Sequence, residues 1–269
     1  GPTTTVRGSG AFGQTFAVSG TSTLINNGTI AGSGAATTLT VNPNNLTNNG
    51  TLAATNGGRL NLANPTNFGT NPGRLLADGL GSVLNIQAGS YAISQPATTT
   101  SHGLIWLQGT FTKAATFDAS GRFVFDYTGA GNSPLAQVTA DIISGFAGGV
   151  WNGPGINSSA AAGSIATGVG YAEASNVISA VGGNFANVSV DGTAVLVRYT
   201  LRGDHNLDGS VNLDDFTRLA AGFGVAGVWS SGDSNYDGAV NLDDFTALAA
   251  NFGQAFGTEL PRGAAVPEP

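Results

Sequence analysis

The chain has 269 residues, enough for one large domain plus a small one. Only 9 % of them are charged, against roughly 25 % in an average globular protein, while 41 % are hydrophobic and 42 are glycine. Cysteine is absent, which excludes a disulfide framework, a zinc–thiolate site and a thiol nucleophile, and the net charge of −7 argues against nucleic acid or an anionic membrane as partner.

The apolar residues come in short regular runs between turn residues, so the composition reads as a folded, mainly β chain rather than a disordered one. No run approaches the ~20 apolar residues that span a bilayer. The opening Gly1-Pro2 fits either a remnant of a cleaved tag or an internal piece of a longer precursor.

Over the first half, Asn26-Asn27-Gly28-Thr29-Ile30 recurs as Asn48-Asn49-Gly50-Thr51-Leu52, a shift of 22. The triplet Leu39-Thr40-Val41 recurs as Leu60-Asn61-Leu62 and Leu84-Asn85-Ile86, at shifts of 21 and 24. Further short strands are predicted at Leu104-Ile105-Trp106-Leu107 and Phe123-Val124-Phe125. A rung of that length with two or three short strands matches one coil of a parallel β-helix, in which inward positions stack as apolar ladders. A β-sandwich with similar strand spacing is the alternative.

Near Ser133-Pro134 the period changes, because Leu135, Val138, Ile142 and Ile143 recur at helical spacing; one helix is predicted near 133–144. Trp151, in a glycine-rich loop, is expected to plug the helix or the solenoid end. Ala194 to Leu201 reads as a last strand running straight into the next unit, and the short junction predicts that the two are docked. The expected organisation is a β-solenoid over 1–201, a small α-helical calcium-binding unit over 202–254, and a linker and tail over 255–269.

Eight of the 16 acidic residues fall within the 41 positions from Asp204 to Asp244. Nearby carboxylates repel unless a cation neutralises them, so this clustering points to metal. Two 12-residue loops, 29 positions apart, carry it: Asp204 to Asp215 and Asp233 to Asp244. Each continues Phe-Thr-x-Leu-Ala-Ala-x-Phe-Gly, and helices ending at Gly222 and Asn251 are predicted. Calcium takes six to eight oxygens at about 2.3–2.6 Å. Loop positions 1, 3 and 5 supply Asp204, Asn206 and Asp208, and Asp233, Asn235 and Asp237. Gly209 and Gly238 allow the sharp turn at position 6. Ser210 and Ala239 offer backbone carbonyls, Asn212 and Asn241 bind directly or through water, and Asp215 and Asp244 close the set. Two calcium ions are expected. Val211 and Val240 are expected to hydrogen-bond and pack the loops together. His205, at a non-ligand position, is expected to face solvent.

Position 12 is Asp where an ordinary EF-hand has Glu, and a strand stands where the entering helix would be. Loop plus exiting helix, in tandem, resembles the type I dockerin domain over about residues 203–254. The resemblance implies a module that docks onto a cohesin-like partner. Partner choice in that family rests largely on positions 10 and 11, here Leu213-Asp214 and Leu242-Asp243, which lack the small hydroxyl residues common there. Phe216, Leu219, Phe223, Phe245, Leu248 and Phe252 are predicted to pack against each other or against the β-domain. A calcium-locked cap on the solenoid end is therefore an equal expectation. Val266-Pro267-Glu268-Pro269 resembles the start of a PEP-CTERM sorting signal. The whole arrangement resembles the autotransporter-like, dockerin-bearing surface proteins of planctomycete-type bacteria, which implies export to the cell surface or matrix.

A carbohydrate-degrading β-helix needs clustered acid/base groups. Outside the loops, Asp78, Asp118, Asp126, Arg59, Arg74, Lys113, Arg122 and His102 form no recognisable motif, and no serine has a nucleophile-elbow context around it. The sequence therefore predicts no enzyme. It predicts an extracellular structural protein, self-associating end to end into a fibre or layer, with an adhesin or docking module for cohesin or carbohydrate as the alternative.

Overall fold

The computed structural model describes residues 4–13, 22–63, 73–87, 90–113 and 115–256. Gly1-Pro2 and the Val266–Pro269 motif lie outside the described residues.

Alternation in each short run sends every second side chain inward, and the rungs stack those side chains in register. Leu39 pairs with Leu60, Leu60 with Leu84, Leu84 with Ile105, and Ile105 with Phe123. Two residues on, Val41, Leu62, Ile86, Leu107 and Phe125 form the neighbouring ladder, and all are buried. The facing sheet contributes Ile30, Leu52, Leu75, Ala97, Phe117 and Ile156 in one line. The ladders thicken from Leu to Phe along the chain, and the Phe117 and Phe123 rings stack 5.3 Å apart.

These pairings are parallel. One sheet has seven strands, from Thr5–Arg7 to Ile156–Asn157; the other has eight, beginning at Gly10–Gly13. Short pairs, Thr23–Asn26 with Asn45–Asn48 and Ser90–Ile93 with Thr110–Lys113, lie between them in the chain. The result is a β-solenoid of about four turns, which decides against the sandwich. Strands make up 40 % of the structure and helices 19 %. Among the described residues no helix is long and apolar enough to cross a membrane.

The Asn-Asn-Gly-Thr repeat is the solenoid's corner. Asn26 donates to Asn48 Oδ1 at 2.7 Å, Asn49 to Asn27 Oδ1 at 2.8 Å, and Asn48 to Gln95 Oε1 at 3.0 Å. A Cβ on Gly50 would lie 2.0 Å from the Gly28 carbonyl oxygen, so stacked corners leave room for no side chain there.

In the eight-stranded sheet the last parallel strand, Arg122–Asp126, changes the rule. Its next neighbour, Ala194–Leu201, is antiparallel, and that strand pairs antiparallel with Thr167–Glu173. Between them helix α1 (Leu135–Phe146) opens with the Ser133 hydroxyl accepting from the Leu135 amide at 3.1 Å. It buries Val138 and Ile142, and Gly145 sits so close to the Ile156 carbonyl that a Cβ would clash. Trp151 is 2 % exposed and meets the Phe146 ring edge-on at 5.2 Å, as a plug on this helix. A one-turn helix, α2 (Ala174–Val177), follows the edge strand.

The corner ladder gives a direct test. Asn48 is fully buried, and Asn48→Ala removes one of the two acceptors of the Asn26 amide and the donor to the Gln95 carbonyl oxygen. It is expected to cost about 1–3 kcal/mol, read as a lower urea midpoint at unchanged slope.

Candidate metal centre

Both loops fold by the same local hydrogen bonds, because the same short polar side chains recur at the same spacing. At position 1, Asp204 accepts from the amides of Asp208 and Gly209, each at 3.0 Å. Asp233 accepts from those of Tyr236 at 2.7 Å and Gly238 at 2.9 Å. At position 3, Asn206 and Asn235 each accept from the amide two residues on at 2.9 Å and donate to the Asp208 or Asp237 carboxylate at 3.0 Å. Asp208 and Asp237 in turn accept from Ser210 and Ala239, both at 2.8 Å.

Position 9 begins a helix in each copy, α3 (Leu213–Gly222) and α4 (Leu242–Asn251). Asn212 and Asn241 are the N-caps, and Asp215 and Asp244 complete reciprocal capping boxes. The same two carboxylates reach back across the loop. Asp215 accepts from His205 at 2.8 Å and Asn206 at 3.1 Å; Asp244 accepts from Ser234 at 2.8 Å and Asn235 at 3.2 Å. Both helices end where the sequence predicts. The left-handed turn needs more than the glycines: Leu207 (φ 61°) and Tyr236 (φ 65°) at position 4 are also positive. Their burial beneath the solenoid sheet holds them there.

Each loop thus carries carboxylates at positions 1, 5 and 12 and Asn side chains at positions 3 and 9. Among the described residues no three His, Cys, Asp or Glu side chains converge as a metal-binding group. The carboxylates are instead turned onto loop amides. The donor set is all oxygen and mixes charged with neutral ligands, which suits a hard cation over a soft one.

Burial strains the charge balance. Asp204 and Asp233 are pushed up to about 6 and Asp215 to about 7, mainly by desolvation, with neighbouring carboxylates adding to it; Asp244 is raised by the same cause. A raised carboxyl holds its proton in the folded chain over a range in which the unfolded chain has released it. With a chelator present, stability is therefore expected to fall as pH rises from about 4 to 7, measured as Tm against pH. Saturating calcium should flatten or reverse that slope.

Three sequence expectations need correction or sharpening here. His205 is fully buried rather than solvent-facing. Its Nδ1 lies 3.3 Å from the Asp215 carbonyl and its Nε2 3.2 Å from the Ser234 hydroxyl. That pairing fixes an Nδ1–H tautomer, and desolvation lowers the pKa to about 4. His205 and Ser234 occupy position 2 of their loops, so the loops are joined by this hydrogen bond. Val211 and Val240 are buried in one apolar cluster but do not bond each other. Val211 pairs with the segment after α4, through Gly253 and Gln254, and Val240 with that after α3, through Gly224 and Val225. The aromatic faces are only half used. Leu219 and Leu248 are buried, Phe216 and Phe245 are each 37 % exposed and 6.3 Å apart, and Phe223 and Phe252 are over half exposed.

The loops are docked on the solenoid, as the short junction predicts. Leu207, Trp229 and Tyr236 belong to the same apolar cluster as the solenoid core. Trp229 Nε1 donates to the Asp204 carbonyl at 2.7 Å. The Tyr236 hydroxyl accepts from the Val169 amide at 2.8 Å and donates to its carbonyl at 3.2 Å. Asn251 donates to the carbonyls of Ala166 and Arg202 at 2.9 and 2.8 Å. Space for this comes from glycine: a Cβ on Gly170 would lie 2.5 Å from Leu207 and 2.7 Å from the Trp229 indole nitrogen. Sequence reading passed over Gly168 and Gly170, whose only signal was two glycines inside one strand. Gly170→Val should lift the loops off the sheet, seen as faster proteolysis within 203–256 while the parallel rungs keep their far-UV signal.

His102 lies elsewhere, its Nδ1 3.2 Å from Arg122 Nη2, while Asp118 holds the Ser120 hydroxyl. Burial, and then the neighbouring Arg122 and Arg198, lower the His102 pKa.

Fold and site together define a β-solenoid whose terminal strands carry a docked tandem-loop unit. Compared with known proteins, the chain matches no family model, no curated protein and no solved structure.

Proposed function

We propose that this chain is a non-catalytic, calcium-binding structural protein of the bacterial surface or matrix, in which the tandem loops lock the end of the solenoid. The observation that carries the reading is the Tyr236 hydroxyl on Val169, which occupies both backbone groups of an edge strand from within the second loop. Ordering that loop orders the edge. Calcium would draw on Asp204, Asn206, Asp208, the Ser210 carbonyl, Asn212 and Asp215, and on Asp233, Asn235, Asp237, the Ala239 carbonyl, Asn241 and Asp244. Bound there, it would supply charge neutralisation and cross-linking of loop to helix, with no chemistry of its own.

The export and surface location rest on the resemblances of loops and tail. End-to-end assembly into a fibre or layer fits this reading only through surfaces other than the strand edge that the loops cover. A second reading has its own support. Leu213, Phe216, Leu242 and Phe245 form an exposed, internally duplicated apolar face, which suits docking to a cohesin-like protein in place of, or beside, a structural role.

Calcium calorimetry on the full chain tests the proposal. Two ions are expected to bind, and Asp208→Ala or Asp237→Ala should each lower the stoichiometry by one. Calcium should also raise Tm. Two undiminished sites in either variant would refute the ligand assignment, and a Tm indifferent to calcium would refute the lock.

A further inference from the structure

The two loops are near copies in sequence, but their surroundings are not copies. The second is open: Asp237, Gly238 and Ala239 are exposed, and a Cβ on Gly238 would meet nothing within 4 Å. A segment folds back on each loop alike, the Phe256 amide donating to the Gly209 carbonyl at 2.6 Å and the Gly227 amide to the Gly238 carbonyl at 3.0 Å. The first loop is also backed from below. Beneath it lies Arg198, from the last solenoid strand, 2 % exposed and donating through Nη1 to the Leu207 carbonyl at 2.9 Å. A Cβ on Gly209 would stand 2.2 Å from Arg198 Nη2, so the turn of the loop rests on the guanidinium.

Arg198 is an expensive residue to bury. It stands directly opposite Arg122 across an antiparallel pair, and both are 2 % exposed. Like charges in that register repel. Arg122 is held by the His102 carbonyl, and Arg198 is attracted by Asp204 and Asp208 of the first loop. The charges that act on Asp233 include those of Asp244 and Asp237, Asp237 acts on Asp244, and Arg202 acts on Tyr236 at position 4 of the second loop. Arg218 on α3 adds another cation on the side of the first loop, near enough to His205 to act on it, where α4 has Ala247.

We infer that Arg198 is a built-in counter-cation of the first loop and makes the two calcium sites unequal, the second loop binding tighter. Each loop carries four carboxylates, three of them at ligand positions, and Arg198 offsets one of those charges in the first loop. A divalent ion entering that loop meets less negative charge and a repelling guanidinium at close range, which weakens binding by about tenfold or more. The arrangement also divides the labour. Arg198 holds the first loop against the solenoid at any calcium level, and the second loop responds to the ion.

This rests on the calcium reading above, and the test separates the two. Calcium is titrated calorimetrically into the full chain as wild type, Asp208→Ala, Asp237→Ala, Arg198→Met and Arg198→Lys. The wild type should show two steps about tenfold or more apart, with Asp237→Ala removing the tighter and Asp208→Ala the weaker. Arg198→Met should tighten the weaker step by about tenfold, and Arg198→Lys should leave it weak. Equal steps, or loss of the tighter step in Asp208→Ala, would overturn the inference and leave the calcium reading standing. An unmoved weaker step in folded Arg198→Met would overturn it too. Absence of any calcium binding would overturn both. If Arg198→Met does not fold, the two loop variants in the native background still decide.

Discussion

A stack of rungs has an end, and there the last strand offers amides and carbonyls to water or to another chain. In this protein the edge strand Thr167–Glu173 meets a side-chain hydroxyl instead. Tyr236 both accepts from and donates to Val169, and it is brought there by the turn of an acidic loop. Everything C-terminal to the solenoid is arranged around that contact. The strand carries glycine at 168 and 170 so that Tyr236 and Trp229 can lie against it. The switch from parallel to antiparallel pairing at Arg122–Asp126 delivers the chain to the correct side of the sheet. A one-residue slip of that pairing would turn the whole strand face over and bury the wrong side chains.

The two halves of the molecule solve the buried-polar problem differently. Along the solenoid, like residues stack, and at the corner Asn48 both accepts from Asn26 and donates to Gln95, so one amide serves its neighbours on two rungs. The loops hold carboxylates, which only accept, so stacking like on like is impossible. They are satisfied by backbone amides instead, and their charge by Arg198 and the rest of the local field. This explains why the solenoid tolerates so few charged residues and why the acidic ones crowd into one stretch.

Much of this was legible in the sequence. The repeated Asn-Asn-Gly-Thr gave the rung length, since residues 22 apart in the sequence stack directly; the side-chain hydrogen bonds between those corners were not foreseen. The helix ends, the last strand and the docked junction followed from capping signals and from the lack of a linker. What stayed hidden were relations between distant segments. His205 reads as exposed because position 2 points away from the loop's centre; only its meeting with Ser234 across the duplicated unit buries it. The exchange of Val211 and Val240 with segments after the opposite helices has no local signature. Arg198 reads as one residue of a strand, and nothing adjacent to it in sequence announces the carboxylates it faces.

That hidden layer decides what the duplication can mean. Two equal sites on a free module would report calcium without reference to the solenoid. Here the first loop rests on a solenoid arginine, through the Leu207 carbonyl and Gly209, and the second presses a tyrosine onto a solenoid strand. A ligand that binds these loops only when folded stabilises them by RT ln(1 + [L]/Kd), about 2.7 kcal/mol at a hundredfold excess over Kd. Because loop and strand edge share one apolar cluster, that stabilisation extends past the loop into the sheet. The end of the solenoid is then as firm as the loops that cover it.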